Sequence, residues 1–236
     1  MDNQAIVVRV ANPDDKLFAT IITDEMASSA AARGTGIAKR SPEYVATKMD
    51  EGKAVIAFTD KGDWVGFCYI ETWSHEQYVA NSGLIVAPAY RKTGVAKRIK
   101  EKIFELSRKK YPNAKIFGLT TGLAVMKINS DLGYEPVTYS ELTQDEAFWA
   151  GCKSCVNYQI LMSKERKNCM CTAMLFDPKD HYEPEETKAY FEENKKSFER
   201  LLRFKQWKLL KPFRKKDNKP GSGSKLKSLL HFVFNF

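Results

Sequence analysis

Asn81-Ser82-Gly83-Leu84-Ile85-Val86-Ala87-Pro88-Ala89-Tyr90-Arg91-Lys92-Thr93-Gly94-Val95-Ala96-Lys97-Arg98 is the stretch that decides the fold. An apolar strand ends, a tight Arg-x-x-Gly-x-Ala turn follows, and a long helix begins at Val95. Gly94 and Ala96 carry almost no side chain, so a ligand can approach the backbone. The amides of residues 92–97 point outward at a helix start, where no acceptor lies one turn back and the dipole is positive. Such a turn suits a pyrophosphate, although the bare pattern also occurs as an ordinary strand-to-helix turn. Val95, Ile99, Ile103 and Leu106 then fall on one face of the helix.

Upstream, Lys53 to Thr59 and Trp64 to Trp73 read as strands joined by the turn Asp60-Lys61-Gly62-Asp63, and Tyr78 to Val86 reads as the next strand. Ala5 to Val10 is a first strand. Asn12-Pro13-Asp14-Asp15 opens a helix: Asn12 can cap it, Pro13 suits the first helical position, and the acidic pair suits the positive end. Ala30 to Lys39 is expected to be a loop with Gly34 and Gly36, followed by a short helix from Ser41-Pro42 to about Gly52. Downstream, Ile116 to Thr120 is a buried strand and Leu123 to Leu132 a helix closed by Gly133. Tyr134 to Tyr139 and Met170 to Phe176 complete the strands. The expected architecture is a mixed α/β (α+β) domain over residues 1–180, with a mostly antiparallel sheet, flanking helices and a cysteine-rich insertion at 148–171. A helical, basic tail follows over 181–236: an amphipathic helix at 184–205, then a Gly221-Ser222-Gly223-Ser224 linker and an apolar end.

An Arg-x-x-Gly-x-Ala turn between an apolar strand and an amphipathic helix resembles the acyl-CoA motif of the GNAT superfamily. The strand Ile116-Phe117-Gly118-Leu119-Thr120 and the helix ending Asn129-Ser130-Asp131-Leu132-Gly133-Tyr134 are similar to that family's later "helix, Leu-Gly-Phe/Tyr" segment. The resemblance covers about residues 5–177 and implies a sheet splayed at the acyl-CoA site. It implies that the backbone of Leu84, Ile85 and Val86 holds the pantetheine arm, and that Arg91, Lys92, Thr93, Gly94, Val95, Ala96 and Lys97 hold the pyrophosphate. Many members carry a Tyr acid four residues before the Gly of the Leu-Gly pair. Here that position is Asn129, which can hydrogen-bond the cofactor but cannot act as an acid, leaving Tyr134 and Tyr139 as weaker substitutes. Glu71, His75 and Glu76 lie near where the family keeps its base; each alone reads as readily as a surface residue of a hairpin. In the family, the region between the first two helices walls the acceptor site. Here it holds Arg33, Lys39 and Arg40, cations that suit an acidic acceptor and also fit a solvated loop. With Glu71-Thr72-Trp73-Ser74-His75 and Thr120-Thr121-Gly122-Leu123-Ala124, the chain resembles the N-acylglutamate synthases of arginine biosynthesis. That implies acetyl-CoA or succinyl-CoA as donor and L-glutamate as acceptor, with Thr121 among the substrate contacts. A GNAT acting on protein lysine or another small amine, and a non-catalytic CoA-binding protein, are the alternatives.

The net charge is +9, but residues 201–236 hold ten Lys/Arg against one Asp. The rest of the chain is therefore balanced, which argues against nucleic acid as the partner. No apolar run approaches a membrane span, and the polar start leading into a short apolar stretch is read as cytoplasmic. A homodimer is open to it. Cys68 lies alone in an apolar strand as plain core. Cys152-x-x-Cys155 and Cys169-x-Cys171 are spaced so that four thiolates could hold one structural zinc, and they read equally as reduced, partly buried thiols. Cys169 and Cys171 are expected on one side of a strand.

Overall fold

The computed structural model describes residues 5–34 and 39–180, without the Arg33 side chain. Its first joint is built locally. β1 (Ile6–Val10) runs into Asn12, whose side chain accepts from the Asp14 amide at 3.0 Å while Asp15 accepts from the Asn12 amide at 2.8 Å. This reciprocal cap starts a 3₁₀ turn, Pro13–Phe18, that continues into α1 (Ala19–Arg33). Arg9 closes a two-pronged bond on the same Asp15, at 2.7 and 2.8 Å. α2 (Pro42–Asp50) is capped by Ser41.

β2 (Ala54–Thr59), β3 (Trp64–Trp73) and β4 (Tyr78–Val86) follow as antiparallel neighbours. After α3 (Val95–Lys110) come β5 (Lys115–Thr120) and α4 (Leu123–Asp131), then β6 (Glu135–Val137) and β7 (Thr172–Phe176). The seven strands form one sheet in the order β1-β2-β3-β4-β5-β7-β6. Its one parallel pair is β4 with β5, matched only over Tyr78–Ala80 against Lys115–Phe117. Beyond Ala80 and Phe117 the two strands part. β4 stays on β3, and β5 stays on β7 to Thr120.

Side chains alternate along a strand, so each sheet face carries its own core. Val55, Cys68, Ile70, Val79 and Ile116 meet α3 through Val95, Ile99 and Ile103. On the opposite face Ile56, Phe67, Tyr69 and Ile85 meet Ile22 and Met26 of α1 and Val45 and Met49 of α2. Farther along that face, Ala80, Phe117 and Leu175 meet Trp149 and Leu161. These two side chains come from α5 (Glu146–Ala150) and α6 (Tyr158–Ser163), short helices of the insertion.

Three expectations are corrected. Arg33 belongs to the last turn of α1, which Gly34 ends at a φ of 58°, so the stretch from Ala30 to Arg33 is helical. The strand expected over Tyr134 to Tyr139 shrinks to the three residues of β6, because Thr138 and Glu141 form a capping box that starts a 3₁₀ turn. Pro136 is tolerated because β6 is an edge. Cys169 and Cys171 precede β7 and lie outside the strand. The compact unit ends at His181; the expected helix at 184–205, the linker and the basic tail lie outside the described residues, as do residues 35–38.

Candidate active site

Two features of β4 open the site. The register with β3 slips between Ser82↔Tyr69 and Ile85↔Phe67, so neither Gly83 nor Leu84 has a partner in β3. This is a β-bulge, and it re-aims backbone groups. Gly83 takes a φ of +65°, and a Cβ placed there would stand 2.3 Å from Tyr69 Cε1 and 2.9 Å from Met26 Cε. Only glycine lets the bulge sit this tightly on Tyr69 and α1. A glycine inside a strand pattern is itself a bulge signal, and sequence reasoning passed over it. Ile85 and Val86 bury their side chains on opposite faces, so any contact they make in the splay is through backbone.

The strand leads through a 3₁₀ turn, Pro88–Tyr90, to the start of α3. Lys92 and Gly94 both adopt left-handed conformations, at φ 66° and 85°. None of the amides of Lys92, Thr93, Gly94, Val95 and Ala96 donates to another described residue. Open space lies where a Gly94 Cβ would be. Unspent amides at the positive end of a sixteen-residue helix, with Lys92, Thr93 and Gly94 exposed, fit a pyrophosphate. Lys97 pairs with Asp131 at 3.6 Å, tying α3 to α4 at the surface. Arg91 differs from expectation. Its guanidinium donates to Glu25 at 2.6 Å, Ser29 Oγ at 2.7 Å and the Val86 carbonyl at 3.1 Å. It anchors the turn to α1 and does not face outward with the amides.

Asn129 lies on α4 beneath the splay and is only 1% exposed. Its Nδ2 would stand 3.7 Å from a Cβ on Gly118, the first residue of β5 past the parallel pairing. Its Oδ1 is buried without a hydrogen-bond partner. An orphaned acceptor costs roughly 1–3 kcal/mol, and a donor carried into the splay by a cofactor would satisfy it. Tyr134 is not placed to be an acid. It is buried under α3, its hydroxyl donates to Asn81 Oδ1 at 3.0 Å, and burial pushes its ionisation well up.

The opposite face brings together residues that the sequence kept apart. Arg40 donates from Nε to the Tyr69 hydroxyl at 2.9 Å and from Nη2 to Glu71 Oε1 at 3.2 Å. Its guanidinium covers the Tyr44 ring at 5.1 Å. Glu71 is 6% exposed. Burial works against the Arg40 charge, but Tyr69 and Glu71 outweigh it and raise its affinity for the proton. Burial, then Glu71, pushes Tyr69 and Tyr44 upward. Glu71 faces the same side as Ala80, its partner in β4, so the group stands beside the splay between the two cores of that face. Tyr44 and Tyr69 were missed; the alternation Tyr69, Glu71, Trp73 along β3 could have found the second.

His75 and Glu76 do not join this group. They are exposed in the β3–β4 turn, at φ 54° and 63°. That turn closes the far end of the hairpin, roughly 20 Å along the strands from the bulge, which removes both as candidate bases. Lys39 is exposed, and its amide donates to Ser154 Oγ of the insertion at 3.4 Å. Thr121 is exposed just past β5, at the mouth of the splay. The Arg33 side chain lies outside the described residues.

Residues 23–126, which run from α1 through the bulge and the turn into α4, match the family model described as Acetyltransferase (GNAT) family. That stretch has the signature of a GNAT acetyltransferase domain. Solved structures of this fold agree. N-acetylglutamate synthase from Neisseria gonorrhoeae, complexed with coenzyme A and N-acetyl-glutamate, is 16% identical at a TM-score of 0.52 over 77% of this chain and 36% of its own. A putative acetyltransferase from Salmonella typhimurium with acetyl-CoA is 13% identical at 0.51, over 76% and 98%. Diaminobutyrate acetyltransferase from Paenibacillus lautus, complexed with L-2,4-diaminobutyric acid and coenzyme A, is 12% identical at 0.50, over 75% and 96%. These likenesses are of fold, and the present chain spans little more than a third of the gonococcal enzyme's length. No curated protein matches the sequence. Among the described residues, no helix is long and apolar enough to cross a membrane.

The four clustered cysteines stand apart from the turn and the bulge. They are free thiols. Burial, then neighbouring thiols, raises Cys152 to about 11 and Cys171 to about 12.

Proposed function

We propose that the chain transfers an acetyl or succinyl group from acyl-CoA to the amine of a small amino acid, L-glutamate being the acceptor that the cations Arg33, Lys39 and Arg40 favour. The observation that carries this reading is the pair of half-buried Arg40 and buried Glu71 beside the splay. An amino acid brings a carboxylate and an ammonium close together, and the pair offers the complementary charges. A carboxylate docking on Arg40 exchanges with Glu71 and leaves the Glu71 carboxylate free to take the amine's proton. Tyr44 and Tyr69 hold both side chains in place during that exchange. The amides of 92–96 bind the cofactor's pyrophosphate, and the bulged backbone at Gly83 and Leu84 orients the acyl arm. When bound, acyl-CoA supplies the thioester carbonyl that the amine attacks and a thiolate that leaves without needing a strong acid. Lys39, Thr121 and Arg33 are the groups proposed for the acceptor's distal carboxylate. A place in amino-acid biosynthesis and a cytoplasmic location are part of the same proposal.

The test is thiol release with acetyl-CoA and succinyl-CoA crossed against a panel of amino acids. Glutamate should exceed glutamine by about tenfold to a hundredfold in kcat/KM, since one charge-assisted pair contributes roughly 1.5–3 kcal/mol. Glu71→Gln should lower kcat by about 10² or more with little change in the KM for acyl-CoA. Equal use of glutamine and glutamate would remove the acidic acceptor. An unchanged kcat in Glu71→Gln would remove the base.

A further inference from the structure

We propose that Cys152, Cys155, Cys169 and Cys171 bind one zinc ion that staples the insertion onto the sheet. All four cysteines line one cavity of about 30 Å³, walled also by Leu119, Tyr139, Trp149 and Leu161. Such a space admits a guest of one or two water molecules' size, which is the scale of a single ion. Four sulfurs with no carboxylate or imidazole among the lining residues make a soft donor set, the kind that takes zinc in preference to magnesium or calcium. The Asn157 amide donates to Cys155 Sγ at 3.4 Å; an amide bond to sulfur favours a thiolate ligand. As the side chains are placed, no three converge on a common point at ligand distance among the described residues. Ligation therefore requires the thiols to turn into the cavity they already line and to give up their protons.

The insertion has a need that such an ion answers. α5 and α6 have five and six residues, too short to hold themselves as isolated helices. Yet this segment supplies one wall of the acceptor-side face. Phe148 meets Phe117 and Trp73 edge to face, with ring centres 5.1 and 5.6 Å apart, and Asp145 accepts from the Ser74 amide at 3.3 Å. A metal joining the 152–155 turn to the 169–171 segment, which leads directly into β7, fixes both ends of the loop to the sheet. The site stands independently of which amine the enzyme uses.

The experiment takes the full chain, purified under reducing conditions without chelator. Elemental analysis should find about one zinc per chain, and replacement by cobalt(II) should give the intense thiolate charge-transfer and visible bands of a tetrahedral sulfur site. Chelation should lower Tm and speed amide hydrogen exchange over residues 145–167 while the amides of β2 and β3 keep their protection. Cys152→Ser should reduce bound metal and the cobalt bands together; should that variant fail to fold, the cobalt spectrum of the wild-type chain still decides. A metal-free chain of undiminished Tm with four titratable thiols would overturn the proposal. So would a disulfide between any two of the four, or zinc that stays after Cys152→Ser.

Discussion

Gly94 states its role in one angle. At a φ of +85°, with open space where its Cβ would be, it serves both the left-handed turn into α3 and a close approach to the backbone. Gly94→Val should cost about 1–2 kcal/mol of stability from the backbone alone. The fold should survive this, because Val95, Ile99 and Ile103 still bury α3. The acyl-CoA Kd should rise at least about tenfold, measured by calorimetry alongside Tm, because a branched side chain then occupies the approach to the amides. Wild-type affinity would place the cofactor elsewhere. This residue was readable from its neighbours in the sequence, since its meaning is local. Arg40 and Glu71 were readable only as residue types. They are 31 positions apart, and pairing them takes the return of the chain from α2 onto β3. The sequence placed His75 with Glu71 for being near in number; the hairpin places them apart, since each strand residue moves a side chain about 3.3 Å farther from the bulge.

Short elements succeed or fail here on their caps. The Asn12–Asp15 box and the Arg9 fork lock β1 to the start of the helical stretch. Burial pushes the Asp15 carboxyl up, but bonds from Arg9 and the Asn12 amide outweigh it and hold the group below its ordinary value. A depressed carboxylate contributes stability above its unfolded value of roughly 4 and loses it as pH falls through the folded value. Asp15→Asn should therefore cost about 1–3 kcal/mol near neutrality. Its Tm deficit against wild type should shrink between about pH 5 and pH 2, because the wild-type group protonates there and the variant has nothing to titrate. A deficit constant across that range would remove the Arg9–Asp15 account. β6 shows the opposite outcome: an apolar, aromatic run reads as a longer strand, but the Thr138–Glu141 box turns the chain out after three residues. Capping residues outrank strand propensity because they satisfy backbone groups at once, whereas a strand at an edge gains hydrogen bonds on one side only.

The bulge, the phosphate-binding turn, Asn129 and the Arg40–Glu71 pair all lie within the compact unit that ends at His181. We propose that residues 182–236 are dispensable for the chemistry. A chain truncated after His181 should keep kcat and both KM values within about threefold, measured by thiol release in solution. A folded but inactive product would make the tail part of the site or of a required assembly. The sequence by itself determined the order of strands and helices, the turn at 91–97 and the likeness to the GNAT family. Periodicity, caps and glycines act over a few residues, so the chain states them directly. Only the tertiary structure decided which residues share the acceptor-side face and that Arg91 serves α1. It alone decided that Tyr134 is core and that Asn129 keeps an unpaired oxygen beneath the splay. Those outcomes depend on strand register and on which side of the sheet each element lies. A one-residue change in register would send every side chain of a strand to the other face, and no local pattern in the sequence states that register.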